Sequence, residues 1–308
     1  MANISAKDVA ELRKQTGCGM MDCKNALVEA DGDFDAAIKV LREKGMAATA
    51  KKAGRIAAEG IVAIKTVNGV TAMVEVNSET DFVAKNASFQ EFVSGILDAI
   101  LANKPADVDA LMNCAYNAES TVMAELQEKT YTIGEKLSIR RFVIVEGVVS
   151  TYIHGMGNTG VIVKFDTDAA TAEKPEFKEF AKNIALQVAA YNIPYLATED
   201  VPASVLAEEK EIIMTQMKAD PKMANKPEKV LEGIVTGKLK KYYENNCVLE
   251  QAYVKDDSMT VAQYVAKTAK ELGASIKVLA FYRYEKGEGI QKREDDLAAE
   301  VAKMVSGN

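Results

Sequence analysis

The sequence has no tryptophan, one histidine and few cysteines in 308 residues. Cys18, Cys23, Cys114 and Cys247 contain no Cys-x-x-Cys pair, so neither a disulfide framework nor a thiolate zinc site is expected. No run approaches the roughly 18 apolar residues that a membrane-spanning helix requires, and the first residues lack the apolar stretch of a signal peptide. These absences predict a cytoplasmic protein with reduced thiols and no membrane contact.

Catalytic motifs are missing as well. A Ser-His-Asp triad would have to use His154, and no Gly-x-Ser-x-Gly elbow supplies its nucleophile. Residues 233–238 resemble a phosphate-binding loop, but three rather than four residues separate the glycines, and the segment lies within a helical pattern. We therefore expect no catalytic residue, no metal ligand and no cofactor, and a protein that is not an enzyme.

The charge balance argues against nucleic acid as a direct partner. The chain has 38 basic and 45 acidic residues, a net charge of −7, whereas phosphate binding needs a positive field. The first 55 residues are the exception, with ten basic and eight acidic side chains. A mildly basic N-terminal segment of this kind could dock on an acidic surface.

The N-terminal segment has the pattern of a small helical bundle. Three short amphipathic helices are predicted within residues 5–44, and Ser5 with Asp8 forms a capping box at the start of the first. Residues 1–45 are assigned to this three-helix head. Residues 46–58, rich in Ala and Lys, are assigned to a helical linker, and the pattern changes at Gly60.

The segment after the linker predicts an antiparallel hairpin followed by a helix. The β-branched runs 61–66 and 70–76 flank Asn68-Gly69, the strongest short-range hairpin signal. Residues 88–91 form a capping box, and apolar residues with helical spacing continue to Asn103. A strand is predicted at residues 137–146.

The same pattern then returns at an offset of about 87 residues. Residues 59–62 are echoed by 146–149, Thr80-Asp81 by Thr167-Asp168, and residues 89–92 by 177–180. The ends of the following helices also correspond, Asn103 with Asn192 at an offset of 89. These four matches indicate duplication of one unit. The predicted fold is therefore α+β, with a duplicated core of small antiparallel sheets and helices: residues 59–140 form the first half, and residues 141–197 with 247–286 form the second.

Between the two parts of the second half lies a helical insertion. Residues 198–246 predict two helices, at 202–219 and 228–246, that form a projecting hairpin or are buried within the body. A strand at residues 275–284 is expected to join the second sheet. Residues 287–308 are assigned to a C-terminal module with a helix at residues 295–304.

Two ungapped stretches carry a family resemblance: LRKQTGCGMMDCKNAL at residues 12–27 and EVNSETDFVAKN at residues 75–86. They resemble the signatures of the bacterial elongation factor Ts family, the guanine nucleotide exchange factors of elongation factor Tu. The resemblance covers essentially the whole chain and is weakest from about residue 191 to residue 255. It implies a ubiquitin-associated-like (UBA-like) head, a duplicated core, a helical hairpin and a C-terminal module.

The resemblance also implies a mechanism without an active site in this chain. The protein would bind elongation factor Tu in its GDP-bound and nucleotide-free states and disturb its Mg²⁺ and phosphate site. The residues implied near that site are Thr80, Asp81, Phe82 and Val83. Further implied contacts with the partner are Lys24, Asn77, Asn86 and His154. Cys23 and Leu27 lie on the apolar side of their helix and are expected in the core of the head.

Two alternatives remain open from the residues. By residue type alone Phe82 would be a core aromatic, but its polar neighbours Ser78, Glu79, Thr80 and Asp81 favour an exposed tip. The alternative function is a non-catalytic adaptor that binds proteins through a UBA-type head. The sequence leaves the stoichiometry open, including a homodimer through the helical hairpin.

Overall fold

The computed structural model describes residues 4–16, 18–220 and 226–291. Within these ranges, helices combine with small antiparallel sheets, which confirms the α+β fold class. The helix predicted at residues 295–304 lies outside the described residues.

The head consists of three helices around a small apolar core: α1 (Ala6–Thr16), α2 (Met20–Glu29) and α3 (Phe34–Lys52). Its buried residues include Cys23 and Leu27, as expected. The capping box is confirmed, since Ser5 Oγ accepts a hydrogen bond from Asp8 N at 3.2 Å and Asp8 Oδ2 accepts one from Ser5 N at 2.9 Å.

The third head helix is longer than predicted. It continues for 19 residues to Lys52, so the prediction that it ends at residue 44 is wrong. Residues 46–50 are Met, Ala, Ala, Thr and Ala, and Met and Ala have high helix propensity, so they extend the helix without needing apolar spacing. Only the last part of the segment 46–58 is a non-helical connection.

The first core half contains one three-stranded antiparallel sheet and four helices: β1 (Glu59–Val67), β2 (Val70–Ser78), α4 (Asp81–Ala84), α5 (Ala87–Asn103), α6 (Val108–Met112), α7 (Val122–Ile133) and β3 (Ser138–Glu146). The strand order is β1-β2-β3. The hairpin prediction is confirmed: Asn68 and Gly69 join β1 to β2 with φ values of 50° and 76°, the left-handed geometry of a type I′ turn.

Helix α5 covers one face of this sheet with a row of buried apolar residues. Its start differs from the prediction. Asn86, not Ser88, is the N-cap, and its side-chain oxygen accepts a hydrogen bond from Ser88 N at 2.8 Å. Asn is among the preferred N-cap residues, so the N-cap lies two residues before the predicted one at Ser88.

The second core half repeats the arrangement: β4 (Val148–His154), β5 (Thr159–Asp166), α8 (Ala169–Ala172), α9 (Pro175–Ala190), α10 (Ala203–Ala219), α11 (Glu228–Asn246), β6 (Ala252–Tyr253), β7 (Asp256–Thr260), α12 (Val261–Leu272) and β8 (Lys277–Glu285). Its sheet has the order β4-β5-β8, so β8 joins the second sheet as expected. In both halves a hairpin, a short helical turn and a longer helix follow one another, as the repeat predicts. Helices α10 and α11 contact each other.

The two sheets face each other through a separate apolar cluster. Val62, Met73 and Val145 of the first sheet pack with Ile162 of the second, while α5 and α9 cover the opposite faces. At the edge of this contact Val62 N donates a hydrogen bond to Gly157 O at 2.8 Å. The two halves are therefore held by packing and by a backbone hydrogen bond.

The two sheets approach each other closely at Gly160. A Cβ at this position would lie 2.5 Å from Val62 Cγ1 and 2.9 Å from Met73 Sδ. Contacts this short are repulsive, so the interface admits only glycine without rearrangement.

We expect Gly160→Ala to lower the free energy of unfolding by about 1–3 kcal/mol, because the new methyl group separates the sheets. Chemical denaturation measures the change. Gly237→Ala is the control, since Gly237 lies in α11 and its Cβ would meet nothing within 4 Å. That variant should keep or slightly raise stability, as Ala favours helix over Gly. An unchanged midpoint for Gly160→Ala would contradict the close-contact interpretation.

Candidate functional site

A short helical turn at the end of β2 presents an exposed aromatic ring. Helix α4 begins at Asp81 after the extended residue Thr80. Val83 and Ala84 are buried in the first core half, whereas Phe82 is 79% exposed. One side of the turn is thus anchored in the core, and the other side holds Phe82 in solvent, as predicted for an exposed tip.

Charged groups flank the exposed ring. Lys85 Nζ lies 2.6 Å from Asp81 Oδ2 and 5.9 Å from the centre of the Phe82 ring. The hydrogen bond from Lys85 lowers the pKa of the Asp81 carboxyl, and the charge of Lys286 lowers it further. The turn therefore presents an apolar ring beside a carboxylate that is ionised at neutral pH.

Two acidic side chains join this turn to the loop after α7. The Glu135 carboxylate accepts hydrogen bonds from Glu79 N at 3.1 Å, Thr80 N at 3.0 Å and Thr80 Oγ1 at 2.6 Å. In return, the Glu79 carboxylate accepts one from Lys136 N at 2.6 Å. The loop after α7 and the loop after β2 are therefore joined at several points.

The same contacts reach the segment that follows the head. Arg55 Nη1 donates to Glu79 Oε1 at 3.2 Å. Lys136 Nζ donates to the carbonyl oxygens of Ala53 and Arg55 at 2.7 and 2.8 Å. The connection from α3 to β1 is therefore bonded to the residues that support the turn.

His154 lies at the end of the second hairpin. It is the last residue of β4, its side chain is exposed, and its Nδ1 lies 3.1 Å from the Tyr152 hydroxyl. The neighbouring Met156 is 81% exposed. Because Gly157 bonds to Val62 near the start of β1, this hairpin end lies at the end of the first sheet from which the Phe82 turn emerges.

Three further predicted residues occupy different environments. Lys24 is exposed on α2, and Asn86 is exposed as the N-cap of α5. Asn77 is only 1% exposed, and its amide nitrogen donates to Glu59 O and Glu75 Oε1, both at 3.1 Å. The structure therefore gives Asn77 a supporting position beneath the surface rather than an exposed one.

Sequence reasoning missed a buried charge cluster that lies beneath the site. The Glu75 carboxylate is fully buried and accepts hydrogen bonds from Arg140 Nη1 at 3.0 Å, Arg141 Nε at 2.6 Å and Gly287 N at 2.8 Å. Burial raises the pKa of Glu75, but these hydrogen bonds and one from Asn77 outweigh it, and the net pKa is lowered. The signal in the sequence was one acidic residue within an apolar strand.

This cluster also ties the segment after β8 to the first sheet. Arg141 Nη2 lies 3.0 Å from Glu288 Oε2, Lys286 pairs with Glu59, and Lys286 N donates to Asn158 O at 2.9 Å. The segment after β8 is thus bonded both to the His154 hairpin and to the first sheet, from which the Phe82 turn emerges.

Within the described residues, no group of three or more His, Cys, Asp or Glu side chains could hold a metal ion. No helix in the same residues is long and apolar enough to cross a bilayer.

Comparison with known proteins gives matches along nearly the whole chain. A family model described as elongation factor TS matches residues 79–288. Proteins named elongation factor Ts from Syntrophotalea carbinolica and Clostridioides difficile are 45% and 46% identical to this chain, over 306 and 309 residues respectively. These alignments cover 98% and 99% of this chain, and 99% and 100% of the relatives. The protein of the same name from Trichlorobacter lovleyi is 46% identical, with 97% of both chains covered.

These similarities include both core halves and the Phe82 turn. They define the class as a nucleotide exchange factor that acts in translation elongation. The chain belongs to the elongation factor Ts family. A member of this family is not an enzyme in the usual sense, because it exchanges nucleotides rather than converting a substrate.

The lowered pKa of Glu75 predicts a pH-dependent contribution to stability. A carboxyl with a depressed folded-state pKa stabilises the fold above its unfolded pKa of roughly 4.3, and this contribution is lost as the pH falls through the folded-state value. We expect Glu75→Gln to lower the free energy of unfolding by about 2 kcal/mol at neutral pH.

Urea unfolding at neutral pH and at a series of lower pH values, from the unfolded pKa down through the folded-state value, tests this expectation. The difference between Glu75→Gln and wild type should shrink in acid. Glu91→Gln removes an exposed carboxylate from α5 and should change little at any of these pH values. A difference that stays constant with pH would rule out an ionised Glu75 as the stabilising species.

Proposed function

We propose that this chain promotes the release of GDP from elongation factor Tu by binding it and placing the Phe82 turn against its Mg²⁺ and phosphate site. The observation that carries the proposal is a ring 79% exposed on a turn anchored in the core. Exposure of so large an apolar group to water is unfavourable in free energy, and burial of the ring against a partner surface removes this penalty. Elongation factor Tu is bound in both its GDP-bound and nucleotide-free states.

Each residue of the turn has a separate role in this proposal. Phe82 and Asp81 reach the partner, where a ring and a negative charge disturb the metal and the phosphate-binding loop. Thr80 and Val83 orient the turn, since Thr80 bonds to Glu135 and Val83 is buried in the core. No cofactor and no active site of this chain is needed.

The magnitude of the effect requires more than one contact. Reversing a 99:1 preference for the nucleotide-bound arrangement takes about 5.5 kcal/mol of differential binding. Burial of one Phe contributes roughly 1.5–3 kcal/mol. Lys24, Asn86 and His154, all exposed, are the further contacts we infer, and Asn77 supports the site from within.

The finer architecture follows from the same proposal. The three head helices form a UBA-like bundle that docks on the partner through the exposed face of α2, and α10 with α11 forms a projecting hairpin. Helix α11 has no buried residue, as a projecting element requires.

One copy of the chain carries every contact named above, so a homodimer is not required. Because translation elongation takes place in the cytoplasm, we place its action there, without direct binding of nucleic acid.

We expect Phe82→Ala to lower the rate of exchange about tenfold to a hundredfold, the loss that matches 1.5–3 kcal/mol of differential binding. The release of fluorescent GDP from purified elongation factor Tu, with catalytic amounts of the variant, measures this rate. The melting temperature should stay close to wild type, because the ring makes few contacts.

Val67→Ala provides the matched control. Val67 is 41% exposed at the opposite end of the β1-β2 hairpin, so its truncation should leave exchange unchanged. Wild-type protein that fails to accelerate GDP release would reject the proposed function and favour the adaptor. A fall of about ten degrees in the melting temperature of Phe82→Ala would show that the ring is structural.

Charge reversal at Lys24 tests the role of the head. Lys24→Glu should weaken binding to elongation factor Tu about two- to fivefold, and less at high salt, since exposed charges interact weakly and are screened. Titration calorimetry at two salt concentrations measures the affinity. Lys182→Glu reverses an exposed charge on α9 and serves as the control. Equal affinities for the two variants would contradict docking through α2.

A further inference from the structure

We propose that Glu135 is a positioning residue for nucleotide exchange, which rests on the function proposed above for Phe82. Its carboxylate accepts three hydrogen bonds from the turn that presents the ring, at 3.1, 3.0 and 2.6 Å. Glu135 itself lies in the loop after α7 and is 55 residues from Thr80 in sequence. The orientation of the ring is therefore set by a distant part of the chain.

The turn depends on this support because it lacks a cap of its own. Thr80 is the N-cap of α4, yet its side chain makes no capping hydrogen bond; its hydroxyl donates to Glu135 instead. Helix α4 has only four residues, and a single turn of helix is unstable without outside contacts. Glu135 instead fixes the two residues that lead into this helix, by accepting from the backbone N–H groups of Glu79 and Thr80 and from the Thr80 hydroxyl.

The second core half contains the equivalent turn without the support. Asp168 caps α8, and its carboxylate accepts hydrogen bonds from Thr171 N at 2.8 Å and Thr171 Oγ1 at 2.7 Å. Thr167, which matches Thr80, has a buried hydroxyl without a hydrogen bond in the described part of the chain. Ala169 stands at the position that matches Phe82. The turn of the second half, which Asp168 caps, has no protruding ring. The turn of the first half carries the Phe82 ring and is held by Glu135.

Glu135 is itself held in position by the residues and the helix next to it in the chain. Glu135 follows Gly134, which ends α7 in the left-handed conformation with φ of 85°. Helix α7 packs against α3 of the head, and the next residue, Lys136, bonds to Glu79. Preorganising a contact residue in this way reduces the ordering cost of binding. Loss of Glu135 should therefore reduce exchange more than it reduces stability.

Exchange kinetics with elongation factor Tu provide the first test. Glu135→Ala should lower kcat/KM for GDP release about tenfold, the factor that corresponds to one charge-assisted hydrogen bond. Thr80→Val, which removes only the hydroxyl donor, should give part of that loss and keeps the test valid if Glu135→Ala folds poorly. Glu271→Ala, at an exposed position of α12, should leave the rate unchanged.

A double-mutant cycle separates positioning from general structural damage. If Glu135 acts through Phe82, adding Glu135→Ala to Phe82→Ala should cost no further activity, because coupled residues are not additive. A full additional tenfold loss, or an unchanged rate for Glu135→Ala alone, would overturn the proposal.

A second measurement needs no partner. Since the chain has no tryptophan, Phe82→Trp introduces a single tryptophan at the tip. Its emission can be excited separately from that of the eleven tyrosines, and its anisotropy reports the motion of the turn in the free protein. Adding Glu135→Ala should lower that anisotropy, whereas adding Glu271→Ala should not. Unchanged anisotropy would refute the positioning role even if wild-type exchange is normal. Absence of exchange by the wild type would reject the proposed function instead and leave this measurement interpretable.

Discussion

The two three-stranded sheets approach so closely that the space at Gly160 holds no side chain, and the geometry of the whole site depends on this contact. Each sheet carries one of the elements proposed to meet the partner: the Phe82 turn follows β2, and His154 ends β4. Side chains in a packed interface have little freedom to shift. The distance between the two contact elements is thus fixed by buried apolar residues rather than by the loops themselves.

Local signals predicted most of the fold. Asn68-Gly69 specified the first hairpin, the 87-residue offset revealed the second half, and the polar residues before Phe82 indicated an exposed turn. The hairpin and the exposed turn depend on neighbours within a few positions, and the repeat is found by comparing the sequence with itself. The helical state of residues 46–52 agrees with the predicted helical linker, but their continuity with α3 was not predicted. These residues have helix propensity without a clear apolar face, and propensity alone is a weak guide to where a helix begins and ends.

The supporting residues of the site could not be predicted for a different reason. Glu135 bonds to residues 55 and 56 positions away, and Glu75 bonds to Gly287 across 212 positions. Nothing in a local pattern specifies which distant donors a carboxylate meets. Comparison of the two turns of the duplicated core gives part of this information. Thr80 makes no capping hydrogen bond, whereas Asp168 caps its own helix. The first half is therefore the one whose turn needs support from elsewhere in the chain.

The link between Glu75 and Gly287 also bears on the order in which the chain matures during synthesis. The ribosome releases β1, β2 and β3 long before residue 287, so the first sheet can pair its strands while Glu75 still lacks its backbone donor. Until that donor arrives, and until the second sheet covers Val62 and Met73, the early half retains an open apolar face. Exposed surface of this kind favours aggregation. The N-terminal half of the nascent chain is therefore most vulnerable during translation of the second half, and completion of β8 and the segment after it ends that period.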